Sequence, residues 1–358
     1  MKFSTPGGVY NATPSRIVFG TGCAATVADE VRRLNASRAL VISTPGRGEL
    51  AKLTAQRLGK MCAGILPEAV SQVPIELAIS GRVKVTESGA DCLVAVGGGA
   101  SIGLAKGVAY TLGIPIINIP TTYSGSEMTG FCGITIDGIK RMHTSLNMLA
   151  RTVIYDPELT VGLPIDVSAA SAMNALAHCV DAVVVETCSP IIAQAAYQGA
   201  KAIHGSIERV VKDPQNLRAR SEALYGGYLS GAALSGGFAL QHGIAHVLGG
   251  SFGVSHGLSH ALTLPHVAAF HATHFEKRMD PLAQAMGVSC SSLGAAIFDM
   301  LIHTGLPTSL EEIGFKHADL DRAAQICIDT DNGETPTTIS YEIIRQILED
   351  IFVGKRPT

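Results

Sequence analysis

The stretch Cys92-Leu-Val-Ala-Val-Gly-Gly-Gly-Ala-Ser-Ile-Gly-Leu-Ala-Lys106 decides the fold class that we predict for this chain. Its opening residues are apolar and predict a short buried strand, and residues 101–111 have the character of a helix. The turn between them, Gly97-Gly-Gly-Ala-Ser101, is rich in glycine, which lets a backbone lie directly against a bound group. Free N–H groups and the helix dipole favour an anion at such a turn. We therefore predict a phosphate-binding turn at the end of a buried strand.

Strand-like and helix-like segments alternate along the first 160 residues. Besides the run just described, apolar runs predict strands at residues 16–19, 38–43, 114–119 and 152–155. The segment from the Pro45-Gly46 turn to about Lys60 predicts a helix, and Phe131–Ile136 with the Asp137-Gly138 turn predicts a hairpin. Alternation of this kind indicates a parallel sheet with helices on both faces. We predict a Rossmann-like α/β dinucleotide-binding domain over residues 1–160.

The pattern changes near Leu163-Pro164, where strand-like runs nearly vanish. Ala-rich and Leu-rich helical periods follow at residues 166–187, 189–212, 215–235, 238–250, 258–272 and 292–304. A chain of 358 residues exceeds the size at which one hydrophobic core keeps growing, so two domains are expected. We predict an α-helical catalytic domain over residues 161–358.

Composition excludes several classes of partner. Apolar residues make up 47% of the chain, charged residues 16%, and the net charge is −3 without a basic stripe, so we expect neither nucleic acid nor a membrane as partner. Residues 223–275 carry no Asp, Glu, Lys or Arg, but lack an 18-residue apolar run and predict buried helices rather than a membrane span. The eight cysteines are scattered without a C-x-x-C motif, which predicts reduced thiols and a cytoplasmic protein.

A second glycine motif competes for the phosphate-binding role. Gly20-Thr-Gly22-Cys-Ala-Ala25 matches the G-x-G-x-x-A pattern, which requires an acidic residue about 20 residues on to hold a ribose hydroxyl. The next strand ends Ile42-Ser43-Thr44, without an acid. We interpret this motif as an ordinary turn into a helix. The missing acid also leaves the choice between NADH and NADPH open.

Seven of the twelve histidines lie between residues 242 and 274. His242 and His246 are four residues apart and project from one face of a helix, as do Asn174 and His178. His256 follows a Gly-rich turn. A charge-free helical core rarely collects unpaired polar groups without a use, so this pattern predicts a metal site or a site for an anionic substrate. We interpret the remaining four as ordinary core residues: His260, His266, His271 and His274.

Five motifs resemble the iron-containing alcohol dehydrogenase superfamily, whose two-domain fold is shared with dehydroquinate synthase and glycerol dehydrogenase. They are GGGASIGLAK at 97–106, PTTYSGSE at 120–127, DPELTVGLP at 156–164, NALAHCVDA at 174–182 and HGIAHVLGG with SHG between 242 and 257. The resemblance covers nearly the whole chain and implies a homodimer that uses NADH or NADPH. Together with the glycine turn, it gives the predicted cofactor contacts Gly97, Gly98, Gly99, Ser101, Thr121, Thr122, Lys140 and Leu159.

The dehydrogenases of this superfamily usually hold Fe²⁺ or Zn²⁺ with an Asp-x-x-x-His pair and two later histidines. The corresponding positions in this chain are Asn174, His178, His242 and His256. The Asp is therefore replaced by Asn174, and Gly103 stands where the phosphate motif of the superfamily carries another Asp. Both departures, together with Tyr123, resemble the branch that reduces maleylacetate to 3-oxoadipate in aromatic-compound degradation and is described as needing no metal. The resemblance thus implies a degenerate metal site and no bound metal.

The chemistry of maleylacetate agrees with a site that lacks a metal. Hydride can add to the carbon β to the ketone, negative charge then develops on the ketone oxygen, and a hydrogen-bond donor can stabilise it. A general acid can protonate the adjacent carbon. The predicted catalytic residues are Asn174, His178, His242, His246 and His256, with Tyr123 as a contact for a carboxylate of this dicarboxylate substrate. His246 or His242 is the predicted proton donor, because the superfamily places the nicotinamide near their helix.

Three other functions remain open on the sequence. A metal-dependent alcohol or glycerol dehydrogenase would lose its activity in EDTA. A carbon–oxygen lyase resembling dehydroquinate synthase would need Lys and Arg residues to grip a phosphate-like substrate, and residues 223–275 supply none. A scaffold without catalytic activity would not bind NADH, and the glycine, threonine and histidine motifs argue against it.

Overall fold

The structure is a computed structural model that describes residues 16–330 and 333–358. These residues form two compact units, one over residues 16–163 and one over residues 164–358. The first unit combines strands with helices, whereas the described residues of the second are in helices, turns and loops. The predicted fold class, a Rossmann-like α/β part followed by a helical part, is confirmed.

A sheet of six parallel strands organises the first unit. The strands are β1 (Arg16–Phe19), β2 (Ala39–Ile42), β3 (Cys62–Leu66), β4 (Cys92–Gly97), β5 (Ile116–Pro120) and β8 (Thr152–Tyr155). Their order across the sheet is β1-β8-β5-β4-β2-β3. The α-helices are α1 (Val27–Arg33), α2 (Gly48–Leu58), α3 (Ile75–Ser88) and α4 (Gly99–Leu112). As predicted, β6 (Phe131–Ile136) and β7 (Ile139–Thr144) form a separate antiparallel hairpin.

The central strands are apolar because a parallel sheet is covered on both faces. Every residue of β2 and β4 is buried, and Val41, Val94 and Ile117 pack together in one core cluster. Strands β4 and β5 are neighbours in the sheet, and Gly97 pairs with Pro120 at their carboxyl ends. The glycine turn and the residues that follow Pro120 therefore meet at the edge where ligands of open α/β sheets bind.

Two elements of the first unit were not predicted from the sequence, namely β3 and α3. Strand β3 forms the edge of the sheet and is largely half-buried, so it lacks the continuous apolar run of a central strand. Helix α3 buries only three of its residues and shows no strong apolar stripe. Both were missed because periodicity is weakest where an element buries little surface.

Helices make up the second unit. They are α5 (Ile165–Val184), α6 (Pro190–Lys212), α7 (Leu217–Leu234), α8 (Leu240–Phe252), α9 (His256–His274), α10 (Glu276–Met286), α11 (Leu293–His303), α12 (Leu320–Asp329) and α13 (Tyr341–Val353). Six of them match the predicted helical segments, and α10, α12 and α13 were not predicted. The three helices that matter most for the site are α5, α8 and α9.

One α-helix, α5, is long and apolar enough to cross a membrane by length and composition. However, 89% of its apolar window is buried inside the protein, as in the core helix of a globular unit. A bent pair, α10 with residues 290–303, passes the same test. Neither observation is more than weak support for a membrane span, and the charge-free stretch 223–275 does not pass the test among the described residues.

Candidate functional site

The glycine turn between β4 and α4 has the geometry that its sequence predicts. Gly97 has φ +141°, and a Cβ there would lie 2.5 Å from Oγ of Ser101. A Cβ on Gly98 would lie 2.8 Å from Cγ2 of Thr122. At Gly99, by contrast, a Cβ would meet no atom of the protein within 4 Å. The first two glycines are required by the fold, whereas the third leaves an open, exposed backbone at a helix N-terminus.

Hydroxyl groups surround this turn. The N–H of Thr121 donates to the carbonyl of Gly97 at 3.0 Å, which fixes the two segments together. The hydroxyl oxygens of Thr121 and Ser101 are buried and have no hydrogen-bond partner among the described residues. A buried hydroxyl without a partner is costly unless a ligand completes it. The turn therefore fits a phosphate-bearing cofactor, and the structure brings Gly97, Gly98, Ser101, Thr121 and Thr122 to one place.

Two other predicted cofactor contacts lie elsewhere in the first unit. Lys140 is exposed on β7, opposite Thr135 of the hairpin. Leu159 lies in a short 3-10 turn, Pro157–Thr160, and packs against the core cluster of the sheet. The structure describes no ligand that would test their roles, so both stay predictions.

In the competing motif at Gly20–Ala25, the backbone N–H groups that could bind a phosphate already bind a side chain of the protein. The N–H groups of Gly22 and Ala24 each donate to the carboxylate of Asp156, both at 3.0 Å. This carboxylate takes the place that a phosphate would need. The interpretation of the motif as a structural turn therefore agrees with the geometry.

Gly103, which replaces an Asp of the superfamily, has no room for a side chain. A Cβ at this position would lie 2.6 Å from Cγ2 of Val73. Val73 itself has φ +46°, a conformation that a β-branched residue rarely adopts. The space that an aspartate would fill is thus taken by a neighbouring loop.

A buried ionisable pair beneath this region was not predicted, although both residues stand in quoted motifs. Nζ of Lys106 donates to the carbonyls of Ser126 and Phe131 at 2.6 and 3.0 Å, and burial lowers its pKa to about 8. Burial raises the pKa of Glu127 to about 7, and the hydroxyl of Tyr155 donates to its Oε1 at 2.8 Å. These contacts hold the segment that follows Thr121 and Thr122.

Tyr123, the predicted contact for a substrate carboxylate, lies in that segment. Its side chain is fully buried. The proposed contact with substrate therefore stays a prediction, which the burial of the ring does not favour.

In the second unit, five histidines form one group, which we call the histidine cluster. Helix α5 supplies His178, α8 supplies His242 and His246, and α9 supplies His256 and His260. Ring centroids are 5.2 Å apart for His178 and His242, 5.6 Å for His242 and His246, and 6.0 Å for His246 and His256. The four predicted histidines are thus brought together, from exposed His256 to buried His178.

His260, which was interpreted from the sequence as an ordinary core residue, is fully buried but lies within the histidine cluster. Its ring lies 4.7 Å from the rings of both His242 and His256, centroid to centroid. It is also 5.9 Å from His246 and 6.4 Å from His178. His260 therefore lies at the centre of the histidine cluster. The missed signal was its spacing of four residues from His256, the same spacing that identified the other pairs.

Asp181 is a second functional candidate that the sequence interpretation missed. Its Oδ2 lies 2.7 Å from Nδ1 of His242, and it also accepts the backbone N–H groups of Ala239 and His242 at 2.8 and 3.1 Å. Burial alone would raise the pKa of Asp181, but the hydrogen bond and charge of His242 hold it below its usual value. An ionised Asp181 orients His242 as the carboxylate of a catalytic triad orients its histidine.

Burial keeps the deepest imidazoles neutral. The pKa of His178 is held well below its usual value by burial and then by the charges of His242, His256 and His246. Burial and the same neighbours lower the pKa of His260 in the same direction. At neutral pH both rings therefore act as neutral donors or acceptors rather than as cations.

The superfamily implies a metal, and the carried-over positions fit one poorly. Asn174 offers an amide in place of a carboxylate, and its Oδ1 is buried without a partner among the described residues. The rings of His178 and His242 are stacked at 20° to one another. Among the described residues, the group with ligand atoms within 4.8 Å of one another is His246, His256 and His260 instead. The ligand set of an iron-containing dehydrogenase is therefore incomplete at these four positions, because Asn174 lacks the carboxylate.

The remaining histidines on α9 lie outside the cluster. His266 packs edge-on against Phe298, and burial lowers its pKa to about 4. His271 is fully buried, and burial lowers its pKa to about 4 as well. His274 is exposed and stacks on Phe270. His266 and His271 are core residues, and His274 is an exposed one at the end of the helix.

Comparison with known proteins matches both units of the chain. The family described as iron-containing alcohol dehydrogenase matches residues 14–157. The C-terminal part of the Fe-containing alcohol dehydrogenase family matches residues 168–352. The two matches together cover both the glycine turn and the histidine cluster.

Similar proteins span the whole chain. A maleylacetate reductase from Burkholderia cepacia is 38% identical over 98% of this chain and 99% of its own. The solved structure of maleylacetate reductase from Agrobacterium tumefaciens is 38% identical, with a TM-score of 0.94 over 99% of this chain and all of its own. A Ralstonia eutropha protein described as an alcohol dehydrogenase is 42% identical, with a TM-score of 0.95 over 99% of this chain and all of its own. This chain therefore belongs to the iron-containing alcohol dehydrogenase family.

Proposed function

We propose that this chain reduces maleylacetate to 3-oxoadipate with NADH or NADPH. The observation that carries the proposal is the histidine cluster, in which an amide, Asn174, stands at the position of the metal-binding carboxylate. An array of imidazole donors suits a dianionic enone, because its ketone oxygen becomes negatively charged during reduction. The full-length likeness to maleylacetate reductases supports the same substrate.

Reduction of the conjugated double bond of maleylacetate requires one hydride and one proton. When bound, NAD(P)H supplies a hydride to the carbon β to the ketone, and the π electrons of the double bond move to leave an enolate oxygen. A proton then adds to the carbon α to the ketone. The products are 3-oxoadipate and the oxidised cofactor, so one hydride and one proton are consumed. Substrate, reduced cofactor and a general acid are thus sufficient.

His242 is the best-supported general acid of the cluster. Asp181 holds its Nδ1, which leaves Nε2 directed away from the carboxylate and without a partner among the described residues. A buried carboxylate at this distance stabilises a proton on the ring and fixes its orientation. His246, one turn further along α8 and half-buried, is the alternative donor. His178, His256 and Asn174 complete the proposed contacts with the substrate.

The glycine turn is the proposed cofactor site. Open backbone at Gly99, close approach at Gly98 and the unpartnered hydroxyls of Ser101 and Thr121 fit a pyrophosphate and a nicotinamide riboside. Lys140, Leu159 and Thr122 are further proposed contacts. No metal is needed by this proposal, and a homodimer in the cytoplasm remains a prediction from the sequence.

The test is an assay of purified, EDTA-treated protein with maleylacetate and each reduced cofactor. The expected result is that NADH or NADPH is consumed and that 3-oxoadipate is formed in equal amount. The fall in near-ultraviolet absorbance measures the consumption of the cofactor. Full activity after EDTA supports the reaction without a metal. Absence of turnover in EDTA, restored by Fe²⁺ or Zn²⁺, contradicts it.

A metal-dependent alcohol dehydrogenase is the second candidate. One observation favours it. His246, His256 and His260 each have one ring nitrogen that lies within 4.8 Å of a ring nitrogen of the other two. Three histidines can hold catalytic Zn²⁺ in other enzymes. The same assay with short alcohols and aldehydes in place of maleylacetate, with and without added metal, separates the two candidates.

A further inference from the structure

The contacts of Gln241 determine which nitrogen of the His260 ring carries the proton. Nε2 of Gln241 lies 3.2 Å from Nδ1 of His260 and 3.1 Å from the backbone carbonyl of the same residue. The amide cannot be turned over, because its Oε1 would then face that carbonyl oxygen. The amide N–H₂ therefore donates to both atoms, and Nδ1 of His260 must be an acceptor.

An imidazole that accepts at Nδ1 and is neutral carries its proton on Nε2. This Nε2–H is buried, since His260 is 0% exposed, and it has no hydrogen-bond partner among the described residues. An N–H donor that is buried without an acceptor destabilises the folded state, because no hydrogen bond compensates for its loss of water. A ligand bound in the cluster could therefore supply the acceptor that the described residues do not provide for this donor.

His242 has the opposite arrangement. Its Nδ1 donates to Asp181 at 2.7 Å, whereas Nδ1 of His260 accepts from Gln241. Two neighbouring imidazoles, with centroids 4.7 Å apart, thus present different groups to the cluster. Reduction of an enone requires a donor that stabilises the enolate oxygen and an acid that protonates carbon. The neutral, fixed N–H of His260 suits the first role, and the imidazole of His242, held by a carboxylate, suits the second.

The surroundings of His260 match a single oxygen acceptor. One ring nitrogen of each of His246, His256 and His260 lies within 4.8 Å of the other two. Donors that share one oxygen at about 2.8 Å stand about 4.6 Å apart, from the hydrogen-bond distances of proteins. The same tautomer disfavours a metal on His260, because a metal-bound imidazole normally donates from its other nitrogen.

We infer that His260 donates a hydrogen bond from Nε2–H to the ketone oxygen of the substrate, and that Gln241 is the positioning residue that fixes this tautomer. The inference rests on the proposed function, and it assigns the stabilisation of the enolate to a residue outside the metal-ligand positions of the superfamily. His242 then remains free to deliver the proton.

The kinetic test compares His260→Leu with His266→Leu. The second variant is a matched control, since it makes the same substitution at a buried histidine of the same helix outside the cluster. Loss of one oxyanion donor should lower kcat for maleylacetate about 10²–10³-fold. The Kd for NADH, measured by fluorescence titration, should stay within about twofold of wild type. A kcat for His260→Leu within about twofold of the control overturns the inference.

The spectroscopic test does not depend on turnover. In full-length protein labelled with ¹⁵N-histidine, the signals lost in His260→Leu identify this ring, and they should show a protonated Nε2 with an unprotonated Nδ1. Gln241→Glu should reverse the pattern and should lower kcat as His260→Leu does. A carboxylate cannot donate to Nδ1, and once its oxygen has moved clear of the backbone carbonyl of His260, it accepts from Nδ1–H instead. If His260→Leu does not fold, the signals of His260 are assigned instead as the histidine signals that shift in Gln241→Glu.

The two tests separate failure of the inference from failure of the proposed function. A protein that does not reduce maleylacetate contradicts the function, and the labelled spectra still decide the tautomer. A protonated Nδ1 on His260 in the wild type overturns the inference even if maleylacetate is reduced. An unchanged spectrum in Gln241→Glu overturns the role of Gln241.

Discussion

The glycine turn and the histidine cluster, the two proposed ligand sites, are built from different parts of the chain. The turn exposes backbone, and its glycines lie in one short segment that joins a strand to a helix. The histidine cluster is built of side chains from three helices, and among the described residues ring nitrogens of His242 and His260 and the amide oxygen of neighbouring Asn174 have no hydrogen-bond partner. A site made from backbone groups can be recognised from a contiguous sequence motif. A site made from side chains on several helices cannot, because it depends on which helices pack together.

Asp181 provides the strongest test of the side-chain region. Asp181→Asn should lower kcat for maleylacetate about 10³-fold or more, because the amide cannot stabilise a proton on His242. Exposed Asp166, on the same helix, offers Asp166→Asn as the control with unchanged activity. Steady-state kinetics with a titration of NADH measure both. A small loss, below about fivefold, would mean that His242 is not the acid.

Glu127 tests whether the backbone region also depends on a buried charge. Its pKa of about 7 lies above the value for an unfolded chain, so the folded state binds the proton more tightly than the unfolded state. The contribution of Glu127 to stability should therefore fall as pH rises from about 4.5 to about 7, by a free energy on the order of 3 kcal/mol. Buried histidines whose pKa is lowered, such as His266 and His271, contribute the opposite trend, so the effect is read from the difference between wild type and Glu127→Gln.

Glu127→Gln should remove this dependence and should leave a variant that is more stable than wild type above pH 7, because the amide oxygen can still accept from Tyr155. Urea unfolding at a series of pH values measures the effect, with exposed Glu87→Gln as the control. An unchanged slope in Glu127→Gln would show that Glu127 is already ionised when buried.

Asn174 tests whether the cluster is a former metal site. Asn174→Asp should raise the affinity for Zn²⁺ about 10–100-fold, since the carboxylate partly neutralises the ion and the three histidine positions are already present. Metal content after dialysis against Zn²⁺ is the measurement, with Asn174→Ala as the control. Equal content in the two variants would argue against a converging ligand set.

Gly99 gives the smallest expected effect and the cleanest comparison with the cluster. A Cβ at Gly99 meets no atom of the described residues within 4 Å, so Gly99→Ala should leave the Tm unchanged. It should weaken NADH binding about tenfold by holding the pyrophosphate away from the backbone. Gly162→Ala, at another exposed glycine with open space, is the control. If NADH binding is unchanged, the cofactor does not lie against this turn.

The two regions also differ in how well they could be predicted. The glycine turn, the neighbouring threonines and the parallel sheet were predicted because strand, turn and helix patterns are local. Four histidines of the cluster were predicted from spacing and resemblance. His260 and Asp181 were not, although Asp181 stands in the quoted NALAHCVDA motif. The proposed role of Asp181 depends on a contact with His242, 61 residues further along the chain, and that of His260 depends on the packing of α8 against α9, where Gln241 lies 19 residues away.

By itself, the sequence determined the fold class, the position of the glycine turn and the family, because apolar periodicity, glycines and contiguous motifs act over short distances. Tertiary structure alone decided that Val73 fills the space beside Gly103 and that Asp156 occupies the second glycine motif. It also decided which nitrogens of His242 and His260 carry protons. The physical reason is that a tautomer is set by the hydrogen-bond partner that packing supplies, and no spacing along a chain encodes that partner.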